Sequence, residues 1–500
     1  MADVAAALSL DGLLSFIQGR RWFVGLAFLV LTIVVRWPVF GDPNYHIDEG
    51  FYLLVGERMH QGQLPYVDIW DRKPFGLFAL YWLITFFGDV GAYQIAAAIC
   101  VWLTAWIIGN VVARFHGAGP GILCGALYIA ALGTLAGGGG QSPVFYNLPI
   151  AAAGMLTLDC MTARDKSTLW RKALLVMLLC GIALTIKPTA LFESVYFGLL
   201  LCWQAWKMGR WPSMLKLGGA MVSTAIVPTA LCFAGFAALG HGLTYFDATV
   251  TSIFATEPAT AADEAIRLNW LGFVLTPLLI VSLTGLAISL VKFRHGAGTY
   301  FTAGWVFFAT LGFLSVPNYY DHYALPVVTS LTVATGALAS LRIIGPVAAL
   351  VATIWMLAIS GFPQFDRTEF STAGIDKARA LITPNLGSGC LFTYDAPAVL
   401  YRISGSCLPT SRVFSEHLSN AREANAVKID PVAETKRILA TQPSVIAIAQ
   451  TPTLATPNRE TRALVKSVLQ TDYHLKDTVV LLDIVGKKHV EIWVARPSLP

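Results

Sequence analysis

Long apolar runs recur along roughly the first 360 positions of the chain, whereas the last 140 or so contain none. A helix needs about 20 residues to cross about 30 Å of hydrocarbon, and these runs approach or reach that length. The pattern predicts a polytopic α-helical membrane protein, with about 11 transmembrane helices in residues 1–362 and a soluble region in residues 363–500. The predicted spans are approximately 22–40, 90–113, 119–136, 145–162, 172–187, 190–206, 216–238, 270–291, 300–316, 323–340 and 344–361.

The first long loop, residues 41–89, has a different pattern. Apolar residues recur at helical spacing from Phe51 to Met59, with polar residues between them. This spacing predicts an amphipathic helix from Asp48 to Gly62 that lies on the membrane surface. Because proline is tolerated near the first turn of a helix, Lys73-Pro74 predicts the start of a second interfacial helix.

The soluble region alternates short apolar stretches with amphipathic ones, which is typical of a small α/β domain. The predicted strands are 390–394, 444–449, 478–484 and 489–495, and the predicted helices are 396–404, 431–440 and 460–470. The region contains no Gly-rich phosphate loop, Ser/His/Asp triad signature or zinc-finger spacing.

Composition supports the membrane location, and charge gives it an orientation. Hydrophobic residues make up 55% of the chain and charged residues 13%, against about 25% charged residues in soluble domains; the mean hydropathy is +0.62. Thirteen Lys and Arg residues fall in loops on one side of the predicted spans and six in loops on the other. Since cytoplasmic loops hold the excess, we expect a cytoplasmic amino terminus. We expect the first helix to be uncleaved, because no small-residue cleavage site follows it. With an odd number of spans, the first loop and the C-terminal domain are then extracytoplasmic.

The eight cysteines divide into two groups. Six lie in apolar spans, where thiols usually behave as small hydrophobes. Cys390 and Cys407 lie in the C-terminal domain, where an oxidising compartment would allow a disulfide. Two buried free thiols are the alternative.

Asp48 and Glu49 are adjacent carboxylates at the start of the first predicted surface helix. Acidic residues in a first turn favour the helix dipole, so both can be simple capping residues. A carboxylate at a membrane-surface cavity can instead take a proton from an acceptor hydroxyl and make it a better nucleophile. Asp48 and Glu49 are therefore the candidate catalytic residues.

Two lysines are candidates for binding a phosphate. Lys73 follows Asp71 at the start of the second surface helix, where a cation suits a leaving group whose negative charge grows in the transition state. In the alternative interpretation, Asp71 caps that helix and the cations lie among lipid headgroups. Lys187 either extends from its span to the interface or makes a second phosphate contact.

The motif Asp321-His322-Tyr323 enters a late span near its outer end. Tyrosines in this segment fit an interfacial aromatic belt that needs no function. However, an Asp-His pair at membrane depth is costly unless it lines a polar cavity. His322 can donate to a phosphate, or hold a divalent metal together with a carboxylate from the first loop.

These motifs resemble those of the integral-membrane glycosyltransferases of the GT-C fold, in the branch of the protein O-mannosyltransferases and the lipid A aminoarabinose transferase. The matching segments are Asp48-Glu49, Asp71-Arg-Lys-Pro-Phe75 and His322-Tyr-Ala-Leu-Pro326. The sequence departs from the family pattern at two positions. Phe75 stands where a second proline is common, and His322 stands where an arginine is frequent, which leaves the role of position 322 open.

The resemblance implies an inverting glycosyltransferase that moves one sugar from a polyprenyl phosphate carrier to a lipid, glycan or protein acceptor on the outer face of a bacterial inner membrane. Asp48 would be the general base, with Glu49 as a less certain partner. The donor phosphate would be bound by Lys73, Lys187, His322 and Tyr323. A divalent metal, if present, would be held by Asp71, His322 and Asp321. A transporter or flippase of lipid-linked sugars is the alternative function, and no nucleic-acid partner is expected.

Overall fold

The computed structural model describes residues 21–292 and 296–496 of the chain, which are mostly α-helical. The α-helices run Arg21–Arg36, Ile47–His60, Phe75–Ile84, Val90–His116, Ala118–Leu132, Ser142–Met161, Lys166–Ile186, Leu191–Ala238, Gly242–Phe246, Ser252–Ala255, Ala261–Lys292, Ala297–Leu314, Leu325–Ala334, Gly336–Ala339, Ile344–Ile359, Arg367–Ile382, Val399–Ser404, Pro431–Ala440 and Arg459–Asp472. The strands are β1 (Leu391–Tyr394), β2 (Val445–Ala449), β3 (Tyr473–Leu482) and β4 (Lys487–Ala495).

Within these described ranges, nine helical stretches are long and apolar enough to cross a membrane. One of them, Pro188–Ala238, covers two predicted spans and is interrupted at Gly209 and Arg210, where the backbone angles are not helical. The last predicted span corresponds to Ile344–Ile359, which has only 16 residues. The chain is a polytopic helical membrane protein, and the number of crossings stays a prediction.

The chain forms two compact units. The first comprises Met1–Trp37, Ile95–Ala230 and Ala259–Gln364, and the second comprises Pro38–Gln94, Leu231–Pro258 and Phe365–Pro500. The second unit thus contains the first long loop as well as the C-terminal region. The boundary between residues 362 and 363 stays a prediction. The division into a membrane domain before it and a soluble domain after it also stays a prediction.

The helix Ile47–His60 lies close to its predicted position, but it is not amphipathic. Nine consecutive residues from Asp48 to Gly56 are buried, so protein covers every face of this half of the helix. A Cβ atom added at Gly56 would lie 2.9 Å from the carbonyl carbon of Tyr81. The helices Ile47–His60 and Phe75–Ile84 therefore contact each other through their backbones, and only glycine fits at the contact.

The second of these helices, Phe75–Ile84, also begins where the sequence predicts. Pro74 is its N-cap, a position where a missing N–H is harmless. The hydroxyl of Tyr66 donates to the carbonyl of Lys73 over 2.8 Å, and the Tyr66 ring packs edge-on against Phe236. Tyr66 thus holds the segment that leads to Lys73 through two contacts, one polar and one aromatic.

The C-terminal region is built on a four-stranded mixed sheet with strand order β1-β2-β4-β3. β1 pairs with β2 in parallel, and β3 and β4 form the predicted hairpin. Helices Pro431–Ala440 and Arg459–Asp472 cover the sheet with a core that includes Ile438, Ile446 and Val465. Cys390 and Cys407 form a disulfide, which decides between the two alternatives left open by the sequence.

The sequence analysis did not predict the helix Arg367–Ile382. Asp42, which is fully buried, binds it: Arg367 Nε lies 3.1 Å from one Asp42 oxygen, and the Ser371 hydroxyl donates to the other over 2.5 Å. Burial raises the pKa of Asp42, and these donors act in the opposite direction. The interaction anchors the start of the first loop to the C-terminal region.

Candidate active site

Asp48 lies in the first turn of the Ile47–His60 helix, with 10% of its side chain exposed. Its backbone N–H donates to Nδ1 of His46 over 3.1 Å, so His46 is the side chain that caps the helix. Burial lowers the pKa of His46, although Asp48 opposes this shift, and the imidazole is therefore neutral near pH 7. His46 does the capping, and the Asp48 carboxylate takes part in another interaction as well.

That interaction is with Lys73. The Lys73 ammonium lies 3.6 Å from Oδ1 of Asp48 and 3.5 Å from Oδ1 of Asp71. Burial alone would lower the pKa of Lys73, but the two carboxylates outweigh it and raise the pKa above its usual value. A quarter of the Lys73 side chain is exposed, so a ligand can approach the cation.

Asp71 fixes the position of Lys73. Its Oδ1 accepts the Lys73 backbone N–H over 2.9 Å, and its Oδ2 lies 3.6 Å from Nε2 of His417. Burial would raise the pKa of Asp71, but Lys73 and His417 together lower it well below the usual range. Asp71 is therefore a buried carboxylate that stays ionised.

Aromatic rings surround the cation. The Lys73 ammonium lies 5.0 Å from the ring centre of Phe414, 5.1 Å from that of Tyr52 and 6.0 Å from that of Phe51. Ring faces attract cations within about 6 Å, and more strongly when water is excluded. The site thus combines an ammonium, two carboxylates and an apolar wall.

Glu49 differs from its neighbour. It is fully buried, and the pKa of Tyr81 is raised well above its usual value by burial and then by the Glu49 charge. Both residues are buried, but a tenth of the Asp48 side chain is exposed, whereas Glu49 is fully enclosed. This geometry favours Asp48 over Glu49 as the residue that meets a substrate.

A second group of candidate residues lies in the first unit. The Lys187 ammonium is 3.9 Å from the ring centre of Tyr323, and the His322 ring stacks on Tyr320 at 6.1 Å. The Arg267 guanidinium lies over the Tyr320 ring, 4.3 Å from its centre. The predicted phosphate ligands Lys187, His322 and Tyr323 are thus near neighbours, and Arg267 adds a cation.

No protein-family model matches the chain, and no curated protein matches it. Among solved structures, the chain is similar to ArnT from Cupriavidus metallidurans bound to undecaprenyl phosphate, with 13% identity and a TM-score of 0.60. The match covers 93% of this chain and 97% of that one. The chain has the GT-C fold.

A second similar structure is the archaeal oligosaccharyltransferase AglB from Archaeoglobus fulgidus, in complex with an inhibitory peptide and a dolichol-phosphate. It is 10% identical, and the match covers 87% of this chain and 70% of AglB with a TM-score of 0.52. Likeness at this level of identity concerns the fold. The prediction of a GT-C fold is confirmed.

Three side chains of the candidate active site were not predicted from the sequence. Phe414 and His417 come from the C-terminal region, and Glu416 lies between them, with a pKa raised by burial and by the Asp48 charge. No motif or spacing signals them, because their partners lie in a loop more than 300 positions earlier. Only the tertiary structure brings these segments together.

The predicted metal ligands have other partners in the structure. Asp71 contacts Lys73 and His417, and Asp321 accepts a hydrogen bond from the Trp270 indole over 3.3 Å. The His322 ring stacks on Tyr320 and lies edge-on to Tyr323. The metal, and the roles of these three residues as its ligands, stay predictions.

Proposed function

We propose that the protein is an inverting glycosyltransferase that moves a single sugar from a polyprenyl phosphate carrier to a lipid, glycan or protein acceptor. The observation that carries the proposal is the Asp48–Lys73 pair, a carboxylate and an ammonium 3.6 Å apart at a partly exposed site. The GT-C fold supports it, since ArnT and AglB have structures with undecaprenyl phosphate and dolichol-phosphate. We propose that the reaction takes place at the outer face of a bacterial inner membrane, with the amino terminus in the cytoplasm.

In the proposed mechanism, the Asp48 carboxylate accepts the proton of the acceptor hydroxyl as its oxygen attacks the anomeric carbon. The bond between that carbon and the phosphate oxygen breaks, its electron pair stays on the oxygen, and polyprenyl phosphate leaves. Attack opposite the leaving group inverts the anomeric centre. The Lys73 ammonium stabilises the negative charge that develops on the phosphate.

The cations of the first unit have a related proposed role. Lys187 and His322 would contact the phosphate of the carrier, with Arg267 as an additional cation. Tyr323 holds the Lys187 ammonium on its ring face and would keep it in place. Glu49 is proposed only as a support for the helix that carries Asp48.

Purified protein incubated with a panel of undecaprenyl-phosphate-linked sugars tests the proposal through the release of undecaprenyl phosphate. Loss of a general base typically slows the chemical step by about 10²- to 10⁴-fold, and we expect this for Asp48→Asn. Asp68→Asn is the matched control, because Asp68 is an exposed carboxylate of the same loop that accepts the Leu64 N–H over 2.7 Å. It should leave the rate unchanged.

Full turnover by Asp48→Asn would remove this residue as the base. Movement of lipid-linked sugar between leaflets of a vesicle, without cleavage of the sugar–phosphate bond, would identify a flippase instead. A comparison of cell-envelope glycans with and without the protein would name the sugar and the acceptor.

A further inference from the structure

A loop of the C-terminal region packs directly against the loop that carries Lys73. The Trp70 N–H donates to the carbonyl of Ser411 over 2.9 Å, and the Arg412 guanidinium lies 5.0 Å from the Trp70 ring centre. Two further residues of this loop, Phe414 and His417, reach the site itself. The C-terminal region thus supplies part of the wall around the cation.

His417 is the most constrained of these side chains. Its residue is 1% exposed, and its ring lies edge-on to Trp70 at 4.9 Å and next to Phe414 at 5.4 Å. Whether neutral or charged, an imidazole carries at least one N–H. Among the described residues Nδ1 has no hydrogen-bond partner, which favours the tautomer with the proton on Nε2.

That N–H faces Asp71. Nε2 lies 3.6 Å from Oδ2, slightly beyond hydrogen-bond length, and such contacts often tighten when a substrate binds. The other oxygen, Oδ1, holds Lys73 through both its backbone N–H and its ammonium. A carboxylate held at both oxygens cannot rotate about its last bond, so the direction of Oδ1 depends on the contact at Oδ2.

We propose that His417 is a positioning residue: it orients Asp71, and through Asp71 it holds the Lys73 ammonium beside Asp48, where the donor phosphate binds. The inference rests on the proposed function, and it gives the C-terminal region a direct part in binding the donor. Packing alone would predict a different response to substitution, because the ring also fills space between aromatic neighbours.

Two substitutions separate the two roles. His417→Phe keeps the aromatic ring and its packing but removes the N–H, whereas His417→Gln removes the ring and keeps an N–H donor. The measurements are the Kd for undecaprenyl phosphate and the kcat and KM for the lipid-linked donor. Misplacement of a catalytic group by about 1 Å can cost about 100-fold, and we expect His417→Phe to raise the Kd and lower kcat/KM by about 10- to 100-fold.

His417→Gln should stay within about fivefold of the wild-type Kd, since a hydrogen-bond donor still faces Asp71. The reverse order, with the Phe variant closer to wild type than the Gln variant, would overturn the positioning role. Phe392→Leu is the packing control: Phe392 is 1% exposed in the sheet core, so its truncation should lower thermal stability and leave the Kd unchanged.

A double-mutant comparison tests whether His417 acts through Asp71. If it does, Asp71→Asn and His417→Phe together should weaken undecaprenyl phosphate binding no more than about twofold beyond the more harmful single change. Additive losses would overturn the inference. If His417→Phe does not fold, Asp71→Asn is measured alone. A wild-type Kd in that variant would show that donor binding does not depend on Asp71, and it would overturn the inference.

The two proposals fail in different ways. Wild-type protein that neither binds undecaprenyl phosphate nor releases it from any lipid-linked sugar would overturn the proposed function, and the role of His417 with it. Wild-type activity combined with the wrong order of the Phe and Gln variants would overturn only the role of His417.

Discussion

Lys73 and Lys187, the two lysines proposed to contact the donor phosphate, are held by different means. Lys73 lies between two carboxylates, whereas Lys187 rests on the face of Tyr323. A tyrosine ring cannot lose its attraction for a cation during the reaction, but a carboxylate that accepts a proton does. The Lys187 charge would thus be the same throughout turnover.

The Lys73 charge would become more available as the reaction proceeds. When Asp48 accepts the proton of the acceptor, its negative charge disappears and no longer offsets the ammonium 3.6 Å away. At the same moment the departing phosphate gains charge. In the proposed mechanism the pair would therefore couple proton transfer to stabilisation of the leaving group, which an isolated lysine cannot do.

The largest expected effect is that of Lys73→Gln. Removing one partner of a buried ion pair typically costs about 3–5 kcal/mol, and the partial exposure of Lys73 places the expected loss of unfolding free energy near the lower end. Loss of the charge at the leaving group should also reduce kcat/KM by about 10²- to 10³-fold. Denaturation in detergent and donor kinetics measure the two effects.

Lys377→Gln is the control for this change. Lys377 is half-exposed and lies 2.8 Å from Asp477, in a surface ion pair of the kind that adds little to stability. If Lys73→Gln and Lys377→Gln lower stability equally, Lys73 is not part of a buried network and the contrast with Lys187 disappears.

A smaller effect is expected for Lys187→Gln. A cation–π contact contributes about 0.5–2 kcal/mol, so stability should fall by about 1 kcal/mol and the Kd for undecaprenyl phosphate should rise about tenfold. Tyr323→Phe retains the ring face and should bind normally, whereas Tyr323→Leu should resemble Lys187→Gln. Normal binding by both Lys187→Gln and Tyr323→Leu would remove this lysine from the phosphate site.

The smallest expected effect is that of pH. Because the pKa of Lys73 is raised, its ammonium stays protonated up to at least the ordinary lysine value of about 10.4. Its stabilising contribution is therefore complete below that pH and is lost only as pH rises through the higher, folded-state value. The Kd for undecaprenyl phosphate should be flat from about pH 7.5 to 9.5.

Lys73→Arg provides the comparison for this measurement, since a guanidinium keeps its charge throughout the same range. A loss of binding centred near pH 8 in the wild type, absent from Lys73→Arg, would mean that the carboxylates do not hold the proton on Lys73.

Local sequence patterns were sufficient to predict much of the fold. The apolar runs predicted the membrane helices, and the period-2 pattern around Gly486 predicted the β3–β4 hairpin, because these elements follow from contacts between residues close in the chain. Helix Arg367–Ile382 was missed because it is mainly polar, and its partner Asp42 lies at the other end of the sequence. Burial was misjudged at Ile47–His60, since spacing cannot reveal how many faces other elements cover.

In the candidate site, too, local features could be predicted from the sequence and tertiary contacts could not. Asp48, Asp71 and Lys73 all lie in the first long loop, so their grouping could be predicted from charge pattern and spacing. The contacts of His417 with Asp71, and of Arg267 with Tyr320, depend on tertiary packing that no local rule encodes. The difference between Asp48 and Glu49 likewise required burial to be known for each side chain.

Gly56 affects how the helix that carries Asp48 packs, although it lies outside the proposed site. It touches no proposed substrate, yet its missing side chain lets the helix that carries Asp48 rest on the backbone of the helix that follows Lys73. A larger side chain at this position would push the two helices apart, and would thereby disturb the placement of Asp48 relative to Lys73.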